Sequence, residues 1–199
     1  MFYSQQQEDI TLYNKFLNYR DGFFIELGAM DGLQYSNSLF FERELNWTGI
    51  LIEPTDQYNR LILNRPNCKN YNYAISETEG DVEFLGNGAI GGVTDTMDSG
   101  HRNGWHLDLQ PSYVVKSIPI SKIVDIERVD LFSIDVEGGE LAVLRTFDWN
   151  IPVYVVLIEM AKFNLEKDEA CRTFLRNIGF EFDMEIGCNE VWINHKNKR

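Results

Sequence analysis

Three times along this chain a short apolar run rich in β-branched and aromatic residues stops at an acid or a glycine-punctuated turn and gives way to a helical pattern. Residues 22–32 (GFFIELGAMDG) lead to a helical stretch over 36–45, and TGILIEP over 48–54 leads to one over 55–63 that ends before Pro66. VDLFSIDVEGGELAVLRTF, residues 129–147, holds strand, turn and helix in one segment. Helices placed between strands cover the faces of a sheet and let successive strands run parallel, so this alternation confines the chain to the α/β class. Residues 71–75, 81–85 and 114–118 add shorter strands, and Ser121 is placed to cap a short helix. VYVVLIEM, residues 153–160, is apolar enough to be buried on both faces of a parallel sheet. Residues 168–177 fit a helix closed by Gly179, and EFDMEI with EVWINH suggests a C-terminal antiparallel hairpin turning at 187–189. Residues 1–20 read as an N-terminal helix capped by Ser4, with Ile10, Leu12, Tyr13, Phe16 and Leu17 as its apolar stripe.

A chain of 199 residues with 44% hydrophobic residues can build one continuous core, and its 13 Phe, 9 Tyr and 4 Trp exclude disorder as the main state. A net charge of −13 disfavours a basic face that follows nucleic-acid phosphates, so no nucleic-acid partner is expected. The opening MFYSQQQEDI has no basic start or apolar run, and no later stretch approaches the ~18 apolar residues of a membrane span. A soluble, cytoplasmic protein is expected. Cys68, Cys171 and Cys188 are odd in number and far apart, which suits buried thiols better than zinc ligation or disulfides.

Ligands of open α/β sheets bind at the carboxyl ends of the strands, so strand-end residues are the candidates. Glu26, Gly28, Asp31 and Gly32 form the first such turn. It is not a GxGxxG, and its two acids make it a poor host for a pyrophosphate but a good one for a cationic or neutral ligand. Glu53 ends the second strand, where an acid commonly chelates the ribose hydroxyls of a nucleoside. Residues 86–112 are glycine-rich without a clear period and suit an acceptor-binding loop or lid.

FFIELGAMDGLQYSNSLFFERELNWTGILIEP and LFSIDVEGGELAVLRTFDW resemble the FkbM family of S-adenosylmethionine-dependent methyltransferases. The matching positions are Glu26, Gly28, Ala29, Asp31, Gly32, Ser36, Asn37, Trp47, Gly49, Glu53, Pro54, Asp135, Glu137, Gly138 and Glu140. The likeness spans roughly residues 3–195; Asn46 stands where the family often has glycine before the Trp. It implies a single methyltransferase domain over 1–199, with a Rossmann-like seven-stranded, mostly parallel sheet and helices on both faces. It also implies O-methylation of a hydroxyl on a sugar, glycan or similar small polar acceptor, in a chain that also fits as part of a larger glycan-modifying polypeptide.

By that resemblance Glu26, Gly28, Ala29 and Asp31 surround the methionine moiety of S-adenosylmethionine, with Ser36 and Asn37 near its carboxylate. Glu53 and Pro54 meet the ribose, and Ala74 and Ile75 flank the adenine. Asp135 and Glu137 form the reaction centre, since methyl transfer to an alcohol needs a group that takes the hydroxyl proton. His106 is a further candidate base, and Trp105 offers a face on which a sugar ring can stack. If the strands ending at Asp135 and Glu159 are neighbours, the two carboxylates could bind Mg²⁺ or Mn²⁺, or act on the acceptor without metal. Two other functions compete: a non-catalytic carbohydrate-binding or assembly module on the same fold, and a nicotinamide-dependent sugar oxidoreductase, which the missing fingerprint glycines disfavour.

Overall fold

The computed structural model describes every residue except residue 161. Along it the strands are β1 (Phe23–Leu27), β2 (Thr48–Ile52), β3 (Lys69–Tyr71), β4 (Ala74–Ile75), β5 (Gly80–Leu85), β6 (Gly92–Val93), β7 (Tyr113–Ile118), β8 (Val129–Ile134), β9 (Val153–Glu159), β10 (Glu181–Ile186) and β11 (Asn189–Ile193). The α-helices are α1 (Glu8–Lys15), α2 (Leu39–Leu45), α3 (Tyr58–Asn64), α4 (Ser99–Gly104), α5 (Glu140–Thr146) and α6 (Leu165–Asn177).

Seven strands form the main sheet in the order β10-β11-β9-β8-β1-β2-β3. The five from β9 to β3 run parallel, and β11 and β10 add the antiparallel edge expected of the C-terminal hairpin. Because successive side chains alternate between faces, Ile25, Ile50, Phe132 and Ile158 join one buried cluster with Leu144 of α5 and Leu175 of α6. Phe24, Leu51, Leu131 and Leu157 join the other, with Leu12 of α1, Phe41 of α2 and Leu61 of α3. All six residues of β8 are buried, which is why its sequence shows no wet face. Strand order reverses at β1, which pairs with β2 on one side and with β8, from much later in the chain, on the other. A crevice opens at such a reversal.

Several expected boundaries shift. The strand expected over 71–75 is split, with β3 in the main sheet and β4 in a second, four-stranded sheet of order β4-β7-β5-β6. Between them Asn72 donates its side-chain amide to the carbonyls of Glu53 (2.8 Å) and Thr55 (3.3 Å), which fixes the crossing. The segment 86–112 is not a structureless loop: it folds into β6, α4 and two 3₁₀ turns. Asp98 caps α4 by accepting from the Gly100 N–H at 2.6 Å.

At the N-terminus Ser4 does not cap a helix over 1–20. Gln7, in the left-handed region at φ 68°, precedes α1, and Ser4 bridges to Tyr35 while exchanging hydrogen bonds with Asp9. Ser121 lies inside a short 3₁₀ turn that follows Pro119. Among the described residues no helix is long and apolar enough to cross a membrane.

Candidate active site

The carboxyl ends of β1, β2, β8 and β9 open into a cleft of about 540 Å³. Its other walls come from the small sheet (Ala74, Ile75, Phe84), the segment after β5 (His101, Trp105), the N-terminus (Gln6, Glu8) and the hairpin (Cys188, Asn189).

The turn after β1 is built around Glu26, which is 4% exposed. One carboxylate oxygen accepts the Asn37 N–H at 2.7 Å; the other accepts the Ser36 hydroxyl at 2.9 Å and the Ser38 hydroxyl in a closer contact. Protein donors thus engage both oxygens, and the acid fixes the path into α2. Gly28 holds φ +72°, and a Cβ there would lie 2.1 Å from the Asp135 carbonyl oxygen, so the ends of β1 and β8 can approach only with glycine at this position.

Asn37 is 8% exposed and lines the cleft. Its amide nitrogen donates to the Ser133 hydroxyl at 3.0 Å, while Oδ1 has no partner among the described residues. Asp31 does not line the cleft; its Oδ1 caps the turn by accepting the N–H groups of Leu33 and Gln34, both at 2.9 Å. Ala29 and Ser36 are buried behind the wall, and Met30 lines it instead.

Glu53, also 4% exposed, ends β2 inside the cleft. Oε2 accepts the Met30 N–H at 2.9 Å, and Oε1 accepts from the Thr55 N–H at 2.9 Å and the Thr55 hydroxyl at 2.5 Å. Burial pushes its carboxyl above the usual range, against these hydrogen bonds. Oε2, with a single donor, keeps room for one more. Pro54, Ala74 and Ile75 line the same cleft.

Across the floor, pairing of β8 with β9 sets Asp135 beside Glu159, and one oxygen each of Asp135, Glu137 and Glu159 lie within 4.8 Å of one another. Burial, then repulsion from neighbouring carboxylates, raises all three carboxyl groups above their ordinary values. Glu140 serves the turn itself: Oε1 accepts the Gly138 N–H at 3.0 Å and Oε2 pairs with the Lys167 ammonium at 2.6 Å.

Of the loop histidines, His106 is exposed and outside the cleft, where it precedes the second 3₁₀ turn. His101, 6% exposed, lines the cleft with Nδ1 3.2 Å from Glu137 Oε2. Trp105 stands at the same wall, 55% exposed. Sequence reasoning selected neither His101 nor Glu8. Glu8, 2% exposed, accepts from the Asn189 side-chain amide at 2.9 Å and the Gln6 N–H at 2.7 Å, linking the two chain ends at the cleft. The signal for His101 was the Asp98 cap, which places it in the first turn of a helix, whereas His106 falls beyond the helix end.

The model for the FkbM methyltransferase domain matches residues 26–182. No curated protein matches the chain significantly. Among solved structures, a protein described as an rRNA methylase from Clostridium thermocellum superposes with TM-score 0.51 at 11% identity, covering 98% of this chain and 96% of that one. A precorrin-6y C5,15-methyltransferase from Geobacter metallireducens GS-15 gives TM-score 0.46 at 15% identity, with 95% and 86% covered. The first likeness speaks to the fold alone. The family match covers most of the chain and includes the turn after β1, the end of β2 and the acidic turn after β8, so this chain belongs to the FkbM family of S-adenosylmethionine-dependent methyltransferases.

Proposed function

We propose that the protein methylates a hydroxyl of a neutral sugar or glycan, with S-adenosylmethionine as methyl donor. The observation that carries this reading is the charge of the cleft. Glu8, Glu26, Glu53, Asp135, Glu137 and Glu159 line it, and no Lys or Arg among the described residues does. Such a wall offers acidic partners to a cationic cofactor and no Lys or Arg countercharge to a phosphorylated or carboxylated acceptor.

The residues fit the cofactor. Asn37 Oδ1 is a buried acceptor short of a donor, as an α-ammonium group requires. Glu53 would take a ribose hydroxyl on Oε2, with Pro54 beside it, and Ala74 and Ile75 would flank the adenine. Glu26 would act through its charge and by holding Asn37. Asp31, Ala29 and Ser36 would shape the turn from outside the cleft.

S-adenosylmethionine supplies an electrophilic methyl group on a positively charged sulfur. The protein's own part is to align the acceptor oxygen, exclude water and take the hydroxyl proton. Asp135, Glu137 and Glu159 surround the place where that proton leaves, and a carboxylate whose affinity for protons is raised accepts it more readily. If a Mg²⁺ or Mn²⁺ ion takes part, Asp135 and Glu159 would hold it with Glu137 in reach, polarising the hydroxyl. Trp105 gives a sugar ring a face to stack on.

Calorimetric titration with S-adenosylmethionine and with NAD, each with and without Mg²⁺ or Mn²⁺, tests the cofactor. Methyl transfer from labelled S-adenosylmethionine to a panel of neutral, amino and anionic glycosides then tests the acceptor. Saturable binding of S-adenosylmethionine with methylation of neutral glycosides is expected. Binding without transfer to any glycoside would favour the non-catalytic module, and preference for anionic acceptors would refute the charge argument.

A further inference from the structure

We infer that His101 is the positioning residue for Glu137, holding that carboxylate against the reaction centre beside Asp135 and Glu159. This rests on the proposed methyl transfer and adds a residue to it.

His101 is 6% exposed and both ring nitrogens are engaged. Nε2 lies 3.1 Å from the Ile90 carbonyl oxygen. A carbonyl only accepts, so Nε2 carries a hydrogen. Nδ1 lies 3.2 Å from Glu137 Oε2, within ion-pair distance of that carboxylate oxygen. The Phe163 ring meets the imidazole edge-on at 6.0 Å and fixes its plane. The imidazole therefore aims one Glu137 oxygen along a fixed direction and leaves the other for the acceptor.

The backbone shows that Glu137 needs holding. Glu137 sits in the left-handed region at φ 53°, a conformation that is disfavoured for a non-glycine residue and persists only where neighbours enforce it. The neighbours come from the same segment as His101. A Cβ on Gly92 would lie 2.8 Å from the Glu137 carbonyl oxygen, and one on Gly138, at φ +119°, would lie 2.5 Å from the Thr96 carbonyl oxygen. The segment after β5 thus grips the turn at its backbone through Gly92 and Thr96 and at its carboxylate through His101. Its fold accordingly sets the direction of an acid that belongs to the main sheet.

The test compares the parent protein with His101→Ala, His101→Asn and Glu137→Gln on whichever panel glycoside is methylated. His101→Ala should lower kcat about 100-fold, as a misaimed reacting group does, while KM for the glycoside and the Kd for S-adenosylmethionine stay within threefold. His101→Asn, whose amide nitrogen stands near the place of Nδ1 and can donate to Glu137, should recover part of that loss. An unchanged kcat in His101→Ala, or a rise in KM alone, overturns the inference. If the protein binds S-adenosylmethionine yet methylates no glycoside, the acceptor reading fails and the pairing is judged separately by long-range ¹H–¹⁵N spectra of the parent. His101 must then appear protonated at Nε2, with an Nδ1 resonance that shifts in Glu137→Gln and not in Lys122→Gln. An Nδ1 resonance indifferent to Glu137 overturns it.

Discussion

Gly28 and Asp135 meet backbone to backbone, since a Cβ on Gly28 would come within 2.1 Å of the Asp135 carbonyl oxygen. The contact joins the end of the cleft proposed for the cofactor to the proposed reaction centre. Gly28→Ala adds this clash to a disfavoured φ of +72°. Stability should fall by about 2 kcal/mol or more, and affinity for S-adenosylmethionine should fall with it. Urea unfolding and calorimetry read the two effects, and a variant as stable as the parent would show that β1 and β8 can part without cost.

Glu53→Ala should weaken S-adenosylmethionine binding by about 1–3 kcal/mol, by losing the proposed ribose acceptor and leaving the Met30 N–H without its partner. Glu53→Gln keeps the shape and removes the charge, so a smaller loss there separates the hydrogen bond from the electrostatics. Equal affinity in all three proteins would place the ribose elsewhere.

Asp135 and Glu159 hold protons more tightly in the folded cleft than in the unfolded chain, first because burial penalises their charge and then because neighbouring acids repel it. The native state therefore binds more protons, and stability falls as pH rises from the ordinary carboxylate range toward the raised native values. The protein without cofactor should be more stable near pH 5 than near pH 8. Glu159→Gln should flatten that slope, which thermal unfolding across the pH series will show.

Arg65, wholly buried, donates to the Gly32 carbonyl at 3.0 Å, to the hydroxyls of Ser36 (3.2 Å) and Ser38 (3.0 Å), and to Glu42 in a closer ion pair. Arg65→Ala leaves Glu42 and the turn after β1 without that cation and should cost about 3–5 kcal/mol. Lys122→Ala, which breaks an ion pair with Glu79 between two exposed side chains, should leave the urea midpoint in place.

The strands whose carboxyl ends carry Glu26, Glu53, Asp135 and Glu159 were legible because a strand buried on both faces writes a strongly apolar run, and an acid at or just past the end of that run is conspicuous. The wall from residues 86–112 was not. Its short elements are bounded by glycines and caps rather than by a period, so the buried His101 and the exposed His106 look alike in sequence. The break after β3 was hidden because Tyr71 to Ile75 suits a strand throughout, and the side-chain bonds of Asn72 to the Glu53 and Thr55 carbonyls at the break leave no local pattern. Glu8 escaped notice because its partner, Asn189, stands near the other end of the chain, and no local pattern announces a contact of that range.

The place of β1 between β2 and β8 also bears on how the protein is made. Phe24 pairs with Gly49, 25 residues on, on one side, but its other neighbour, Leu131, is synthesised much later. At about 5–20 residues per second a ribosome needs on the order of 5–20 s to supply β8. During that interval the edge of β1 that later pairs with β8 has no partner in the chain, and an unpaired strand edge is a template for pairing with other chains.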